Sequence, residues 1–418
     1  MTVADLLAGL LGPDVPIAFR AYDGSSFGPP DAKTTVVFRS PDALRRIVTA
    51  PGELGFARAY VAGDFDVEGD IFGILALRSN LDELKFRSRD AVRALRLLGI
   101  RNLRPLPPPP EEARLRGRAH SKERDAAAVA YHYDVSNEFY EMILGPSMTY
   151  SCAVWTDETR TLEEAQANKH ELVSKKLGLQ PGMRLLDIGC GWGGMVMHAA
   201  REHGVEAVGV TLSEPQAELA AERVAAAGLE GQVEIRFADY RDVDDGPYDA
   251  ISSIGMFEHV GLTQRTEYFT RCYELLRPEG RLLNHAISRP AHVTLPKPSK
   301  LRPRRLPPGF AERYIFPDGE SHEIGNVISA IQDVGFEARH MESLREHYAL
   351  TLRRWVANLE AGWADAVADV GETRARIWRL YLAIAASLFE DHSDEVHQVL
   401  ATKTTDGASG LPLRPSYS

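Results

Sequence analysis

Three cysteines in 418 residues are too few, and too widely spaced, to build a disulfide framework. Cys152, Cys190 and Cys272 also lack metal-ligand spacing, so no metal is expected and a reducing compartment is. Long apolar runs are missing as well. No stretch approaches the roughly 20 residues of a spanning helix, so any membrane contact is expected to be peripheral. Met1–Gly12 contains Asp5 and no basic residue, so a signal peptide is not expected and a cytoplasmic location is. A positive balance is absent too. Lys plus Arg number 48 against 59 Asp plus Glu, a net charge of −11, which excludes a dedicated nucleic-acid binder. No internal repeat is present. What remains, 44% hydrophobic and 26% charged, is an ordinary globular composition with length for two or three domains.

One stretch organises the rest. The apolar run Met183–Leu186 ends in Asp187, glycines follow at 189, 191 and 193, and a helix-like segment runs from Met195 to Glu202. That order predicts a strand, a tight turn and a helix N-terminus, the layout in which a doubly wound sheet binds a ligand at the strand's carboxyl end. Glycine lets the turn take positive φ and lets a ligand approach the backbone. The spacing is Asp-x-Gly-x-Gly-x-Gly, not the G-x-G-x-x-G that seats a pyrophosphate. It resembles the first motif of class I S-adenosylmethionine (AdoMet) methyltransferases.

The chain divides into three parts. Residues 1–84 read as a small α+β unit, with strands over Val15–Tyr22 and Thr34–Phe38 and a helix over Asp42–Val48 started by Ser40-Pro41. Asp64–Asp70 is acidic but lacks the calcium-loop ligand order, so a plain hairpin is expected. Residues 85–124 invert the charge: twelve Lys/Arg against four acids, with Pro105 and Pro107–Pro110 imposing an extended path. This stretch reads either as a solvated linker or as a surface that also faces anionic lipid. Residues 125–418 form the catalytic domain. It has an amphipathic helix over Thr161–Leu177 and further strands at 207–213, 233–237, 248–254 and 281–287, with Leu275–Gly280 as a helix end and turn. Strands alternating with helices predict a parallel sheet covered on both faces. Long helical patterns at Leu350–Glu360 and Thr373–Phe389 are expected to roof the site.

Six segments carry a more specific likeness: Tyr131–Ser136, Tyr150–Trp155, Leu186–Gly193, Thr211–Gln216, Gly255–His259 and Tyr314–Gly319. In this order they resemble the cyclopropane-fatty-acid synthases, including the mycolic-acid cyclopropane synthases. The likeness covers about residues 125–395. The N-terminal unit is similar in size and position to the lipid-binding domain of the two-domain, phospholipid-acting members. The fold this implies is α/β: a class I (Rossmann-like) methyltransferase sheet with helical additions, plus a small N-terminal α+β domain. For AdoMet, the resemblance implies the glycine turn (Gly189, Gly191, Gly193) with Asp187, then Thr211, Leu212 and Gln216 at the ribose. Asp239 and Tyr240 would flank the adenine, and Tyr150 and Ser151 would close over the cofactor.

An isolated alkene is a weak nucleophile, and methylating it leaves a carbocation. The site therefore needs a dry pocket and a base that removes one proton without itself being alkylated. The resemblance implies bound bicarbonate as that base, held by Cys152, Glu258, His285, Ile287 and Tyr314, with the backbone amides of Cys152 and Ile287 as donors. His259 is given no role. Where the family commonly continues Leu-Pro-Ser after Phe-Pro-x-Gly, this chain has Glu320-Ser321-His322. The fate of the cation is thus left open. Proton loss from the new methyl closes a cyclopropane, whereas a hydride shift before proton loss leaves a methylene branch for a partner reductase. The rival readings are an O- or N-methyltransferase in the same sheet and a non-catalytic lipid-binding protein. The expected partners are unsaturated phospholipid and an anionic membrane surface, met by Lys85–Arg124 and Lys297–Phe310, with Leu301, Leu306 and Phe310 entering the headgroups. A homodimer is an assembly the resemblance admits.

Overall fold

The computed structural model describes residues 1–12, 15–50, 52–77, 99, 104–113, 124, 135–293, 309–317, 319–320 and 322–417. Most of Lys85–Arg124, the motif residues Tyr131–Asp134, and Lys297–Pro308 with its Leu301 and Leu306 lie outside the described residues. Chain contacts define two units. The first comprises Met1–Arg114, Arg305–Pro317 and Gly362–Ser387; the second comprises Leu115–Arg304, Asp318–Ala361 and Leu388–Ser418. Two later segments that the sequence reading left in the catalytic domain thus group with the N-terminal unit.

The first unit holds a four-stranded sheet ordered β2-β1-β3-β4, formed by β1 (Ala18–Arg20), β2 (Ser26–Phe27), β3 (Thr34–Phe38) and β4 (Phe65–Gly69). The helix Pro41–Thr49 starts where Ser40 accepts from the Asp42 amide, with proline at its first position. The expected hairpin at 64–70 is instead a single strand, β4, which pairs antiparallel with β3 after two intervening helices. Its acids are engaged by arginines: Asp64 by Arg46, Asp66 by Arg39 and Arg376, and Glu68 by Arg20. Arg376, 4% exposed, also donates to the carbonyls of Tyr60 and Phe65, which ties the helix Glu372–Glu390 to this sheet. The proline path is held rather than free, since Arg45 and Arg46 donate to the carbonyls of Arg104 and Pro107.

The second unit holds a seven-stranded sheet ordered β10-β11-β9-β8-β5-β6-β7. Its strands are β5 (Arg184–Ile188), β6 (Glu206–Thr211), β7 (Val233–Phe237), β8 (Tyr248–Ile254), β9 (Leu276–Ser288), β10 (Glu337–Ser343) and β11 (Glu395–Thr402). All run one way except β11, which is antiparallel to both its neighbours. The first strand of the series, β5, lies between β6 and β8, so the order reverses there and a crevice opens at the carboxyl ends. One difference from the sequence concerns Leu275–Gly280. The helix does end at Leu275, but β9 begins at Leu276 and absorbs the turn-like residue Glu279, whose amide donates to the Lys403 carbonyl.

Helices cover both faces. On one side Val173, Leu177, Met195 and Val196 pack on Leu185 and Ala207; on the other Phe269, Cys272 and Ile331 pack on Leu186 and Ile251. The helix Leu162–Leu177 begins with a Thr161–Glu164 capping box and ends at Gly178 in the left-handed region. Among the described residues, no helix is long and apolar enough to cross a membrane.

Candidate active site

A single cleft gathers most of the residues expected to hold AdoMet. Tyr150, Ser151, Asp187, Gly189, Gly191, Thr211, Leu212, Gln216 and Tyr240 all line it. The turn after β5 has φ of +79° at Gly189, +54° at Gly191 and +81° at Gly193. These roles differ. A Cβ at Gly189 would sit 2.8 Å from that of Met256, whereas one at Gly191 would meet nothing within 4 Å and would project into the cleft. Gly193 does not line the cleft and instead starts the helix Gly194–His203. Asp239 does not line it either; its carboxylate is held by the amide and guanidinium of Arg241, which does.

Asp187 and Ser252 are register neighbours on β5 and β8, and the serine hydroxyl donates to the carboxylate at 2.6 Å. At the end of β6, Thr211 donates to the Oε1 of Gln216 at 2.8 Å, so the amide nitrogen of Gln216 faces away from the threonine. The segment Met148–Ser151 is strapped down by the helix Leu162–Leu177, with Gln166 donating to the carbonyls of Thr149 and Ser151. From the same helix Lys169, 1% exposed, donates to the hydroxyl of Ser151 at 3.1 Å. Burial pushes the Lys169 ammonium down to about 7, opposed by the nearby Asp187 carboxylate. Burial likewise pushes Asp187 up to about 6, opposed by the Ser252 hydroxyl and by Lys169.

Sequence reasoning missed Lys169. A signal was there: Leu162, Ala165, Gln166, Lys169, Val173 and Lys176 fall on one helical face, so the lysines sit where an amphipathic helix buries its side chains. His259, given no role from the sequence, also lines the cleft, together with Gln264.

Four of the five residues expected at the anion site belong to the second unit. Glu258 follows β8 in a short helical turn, and its Oε1 accepts from the Ile287 amide at 2.8 Å. That amide is therefore committed to fixing Glu258 rather than standing open for a ligand. The residue as a whole is partly exposed, yet its Oε2 is shut off from solvent and has no hydrogen-bond partner among the described residues. Burial pushes its pKa up to about 7 against the pull of the Ile287 amide.

His285 lies two residues before Ile287 on β9, on the same face of the strand. Its Nδ1 meets the amide nitrogen of Gln398 at 3.1 Å, and its Nε2 is buried without a partner among the described residues. Burial, then the charges of Lys169, Lys176 and His397, hold its pKa well below the usual range, so the ring is neutral. Cys152 is fully buried, with its thiol on the carbonyls of Ala153 and Leu344, and burial pushes its pKa up. The helix Arg345–Ala361 covers this segment, Thr351 accepting from the Ala153 amide and His347 from that of Trp155.

Tyr314 falls in the first unit. Its hydroxyl donates to Glu112 at 3.2 Å, and the same carboxylate binds Arg58 and Arg313. Phe310, expected to enter a headgroup layer, is 1% exposed and packs on Tyr314 with ring centroids 5.2 Å apart. In this structure it is a core residue, which corrects that expectation.

The cleft fits AdoMet by its glycine cradle and its buried polar lining. Glu258 Oε2 and His285 Nε2 are each buried without a partner among the described residues, polar atoms of the kind that a small anion carrying its own hydroxyl would satisfy.

Comparison with known proteins agrees with this geometry. Residues 120–399 match the family model of mycolic acid cyclopropane synthetase. A probable fatty acid methyltransferase of Mycobacterium tuberculosis is 45% identical over 412 residues, covering 96% of this chain and 94% of that protein. The cyclopropane-fatty-acyl-phospholipid synthase of Escherichia coli is 32% identical over 376 residues, covering 89% and 88%. Among solved structures, a mycolic acid cyclopropane synthase complexed with S-adenosylhomocysteine and CTAB superposes with a TM-score of 0.61. It is 36% identical and covers 66% of this chain and 98% of that one. The chain therefore belongs to the mycolic acid cyclopropane synthetase family of AdoMet-dependent methyltransferases.

Proposed function

We propose that this enzyme transfers the methyl group of AdoMet to a cis double bond of an unsaturated phospholipid acyl chain and closes a cyclopropane, with bicarbonate as the base. The observation that carries the reading is that two buried atoms, an acceptor on Glu258 in the turn after β8 and a ring nitrogen on His285 of β9, have no partner among the described residues. AdoMet supplies the methyl, and bicarbonate, when bound, supplies a base too weakly nucleophilic to be alkylated.

The protein's own groups do the rest. Glu258, oriented by the Ile287 amide, accepts a hydrogen bond from the anion's hydroxyl. His285 donates from Nε2, and the Cys152 amide is a further donor assigned by resemblance; the Tyr314 hydroxyl, also assigned by resemblance, is given to Glu112 in this structure. The Cys152 thiol stays protonated and occupied, so it offers no nucleophile to a carbocation. Lys169, its ammonium pushed down to about 7 by burial beside Asp187, holds the Ser151 hydroxyl at the cleft. The first unit is proposed to engage lipid, and the basic stretches to meet an anionic membrane surface.

The test is to incubate the protein with AdoMet and vesicles of cis-monounsaturated phospholipid, then analyse the fatty acids. Cyclopropane and methylene-branched products are isomers of equal mass, so proton NMR must separate them. A methylene product would keep the acyl methylation but replace ring closure, with a reductase acting afterwards. Activity unchanged under rigorous exclusion of bicarbonate would remove the proposed base.

A further inference from the structure

A row of side chains crosses the sheet behind the candidate anion site. Glu342 on β10 pairs in register with Gln398 on β11, which pairs with His285 on β9. Above them Lys176, whose side chain is fully buried, donates to Glu342 and, at 2.7 Å, to the Oε1 of Gln398. We propose that Lys176 and Gln398 are positioning residues that fix His285 as its Nε2–H tautomer, and so set which proton the ring presents to the anion.

The argument is one of donors and acceptors. An ammonium can only donate, so the Gln398 atom facing Lys176 is the carbonyl oxygen. The amide nitrogen then faces the other way, onto His285 Nδ1 at 3.1 Å. An amide nitrogen also only donates, so Nδ1 must accept. In a neutral ring the remaining proton is then on Nε2, the buried nitrogen that no group among the described residues satisfies. Without the lysine, Gln398 could turn its amide over, and the proton would move to Nδ1. His285 Nε2 would then be a lone pair facing the bound anion, which is repulsive.

The geometry explains why a lysine is buried at this depth. Its charge is matched by Glu342 at the sheet's rim, and its second acceptor is the glutamine it orients. The placement follows from the fold: Lys176 is seven residues after Lys169 on one helix, so both lysines face the same side of the sheet.

This inference rests on the bicarbonate reading for its consequence, but the tautomer itself can be read without substrate or anion. Nitrogen-15 NMR of histidine-labelled protein, assigned with His285→Gln, distinguishes a protonated Nε2 from a protonated Nδ1. Wild type should show Nε2–H. In Gln398→Glu the carboxylate can only accept from the ring, so Nδ1 must become protonated. In Lys176→Met the signals should report mixed tautomers. Methyl transfer should fall roughly 10–100-fold in Lys176→Met, the range usual for losing an outer hydrogen-bond partner. AdoMet affinity should change less than about twofold, because neither residue lines the cleft. A wild-type ring protonated on Nδ1 or on both nitrogens would overturn the proposal, and that measurement needs no variant to fold. An unchanged ring in well-folded Gln398→Glu would also overturn it. The expected tautomer together with activity indifferent to bicarbonate would instead reject only the assignment of the base.

Discussion

Replacing Glu258 with glutamine should lower activity and remove a stability cost that grows with pH. Burial raises the folded-state pKa of this carboxyl from the ordinary 4.5 to about 7. Between those values the folded protein binds more protons here than the unfolded chain, so stability falls as pH rises through the window. At about 1.4 kcal/mol for each pKa unit, the group costs about 3 kcal/mol once fully ionised, most of it developing between pH 5 and pH 8. Glutamine cannot ionise. The pH-independent effects of the substitution, such as an amide group left where Oε2 stood, cancel when the comparison is made at two pH values. The stability of Glu258→Gln relative to wild type should therefore rise by about 2–3 kcal/mol from pH 5 to pH 8. Urea unfolding followed by fluorescence in bicarbonate-free buffer measures it. In the same variant methyl transfer should drop roughly 10–150-fold, the equivalent of a lost hydrogen bond to a charged group at about 1.5–3 kcal/mol. AdoMet binding by calorimetry should stay nearly intact, and His285→Ala should behave alike in activity and binding. A stability gap flat in pH would refute the buried-carboxylate argument. AdoMet affinity that collapsed with activity would place Glu258 in the cofactor site instead.

Three further outcomes are expected. Cys152→Ala should retain most methyl transfer, and native protein should resist iodoacetamide at this position, because the thiol is fully buried with its pKa pushed up; rapid labelling with loss of activity would contradict it. Gly191→Val should weaken AdoMet binding at least tenfold and cost roughly 1–2 kcal/mol of stability, since φ is +54° and the added carbons enter the cleft; calorimetry and unfolding read the two separately. Replacing Arg302, Arg304 and Arg305 with Ser should lower co-sedimentation with anionic vesicles by up to about 3 kcal/mol of partition free energy at low salt. That difference should shrink as the Debye length falls to roughly 8 Å at physiological salt, and binding indifferent to lipid charge would reject that stretch as a docking surface.

The parts legible in the sequence were those governed by local chemistry. The turn from Asp187 to Gly193 announced itself because positive φ at close quarters leaves few residues but glycine. The helix Leu162–Leu177 was readable from its caps and its apolar stripe. Strands β5 to β8 stood out as apolar runs between helical segments. Periodicity could not tell which unit a segment joins. The helix Glu372–Glu390 has the same pattern whether it roofs a methyltransferase sheet or sits on β4. Its partner is decided by Arg376, whose donors reach chain more than 300 residues away. Phe310 shows the same limit, since a phenylalanine beside arginines and prolines reads as a membrane wedge until its contact with Tyr314 is seen. The candidate anion site lies between these cases. Glu258 and His285 were found because the resemblance names them, but the groups that orient them were not. Ile287 contributes only a backbone amide, which no sequence displays, and the lysine that turns the Gln398 amide comes from 222 residues away. Lysines on the buried face of the helix Leu162–Leu177 were the visible trace of that arrangement. Its chemistry requires a buried acceptor, and in this fold that acceptor is the residue that sets the histidine's proton.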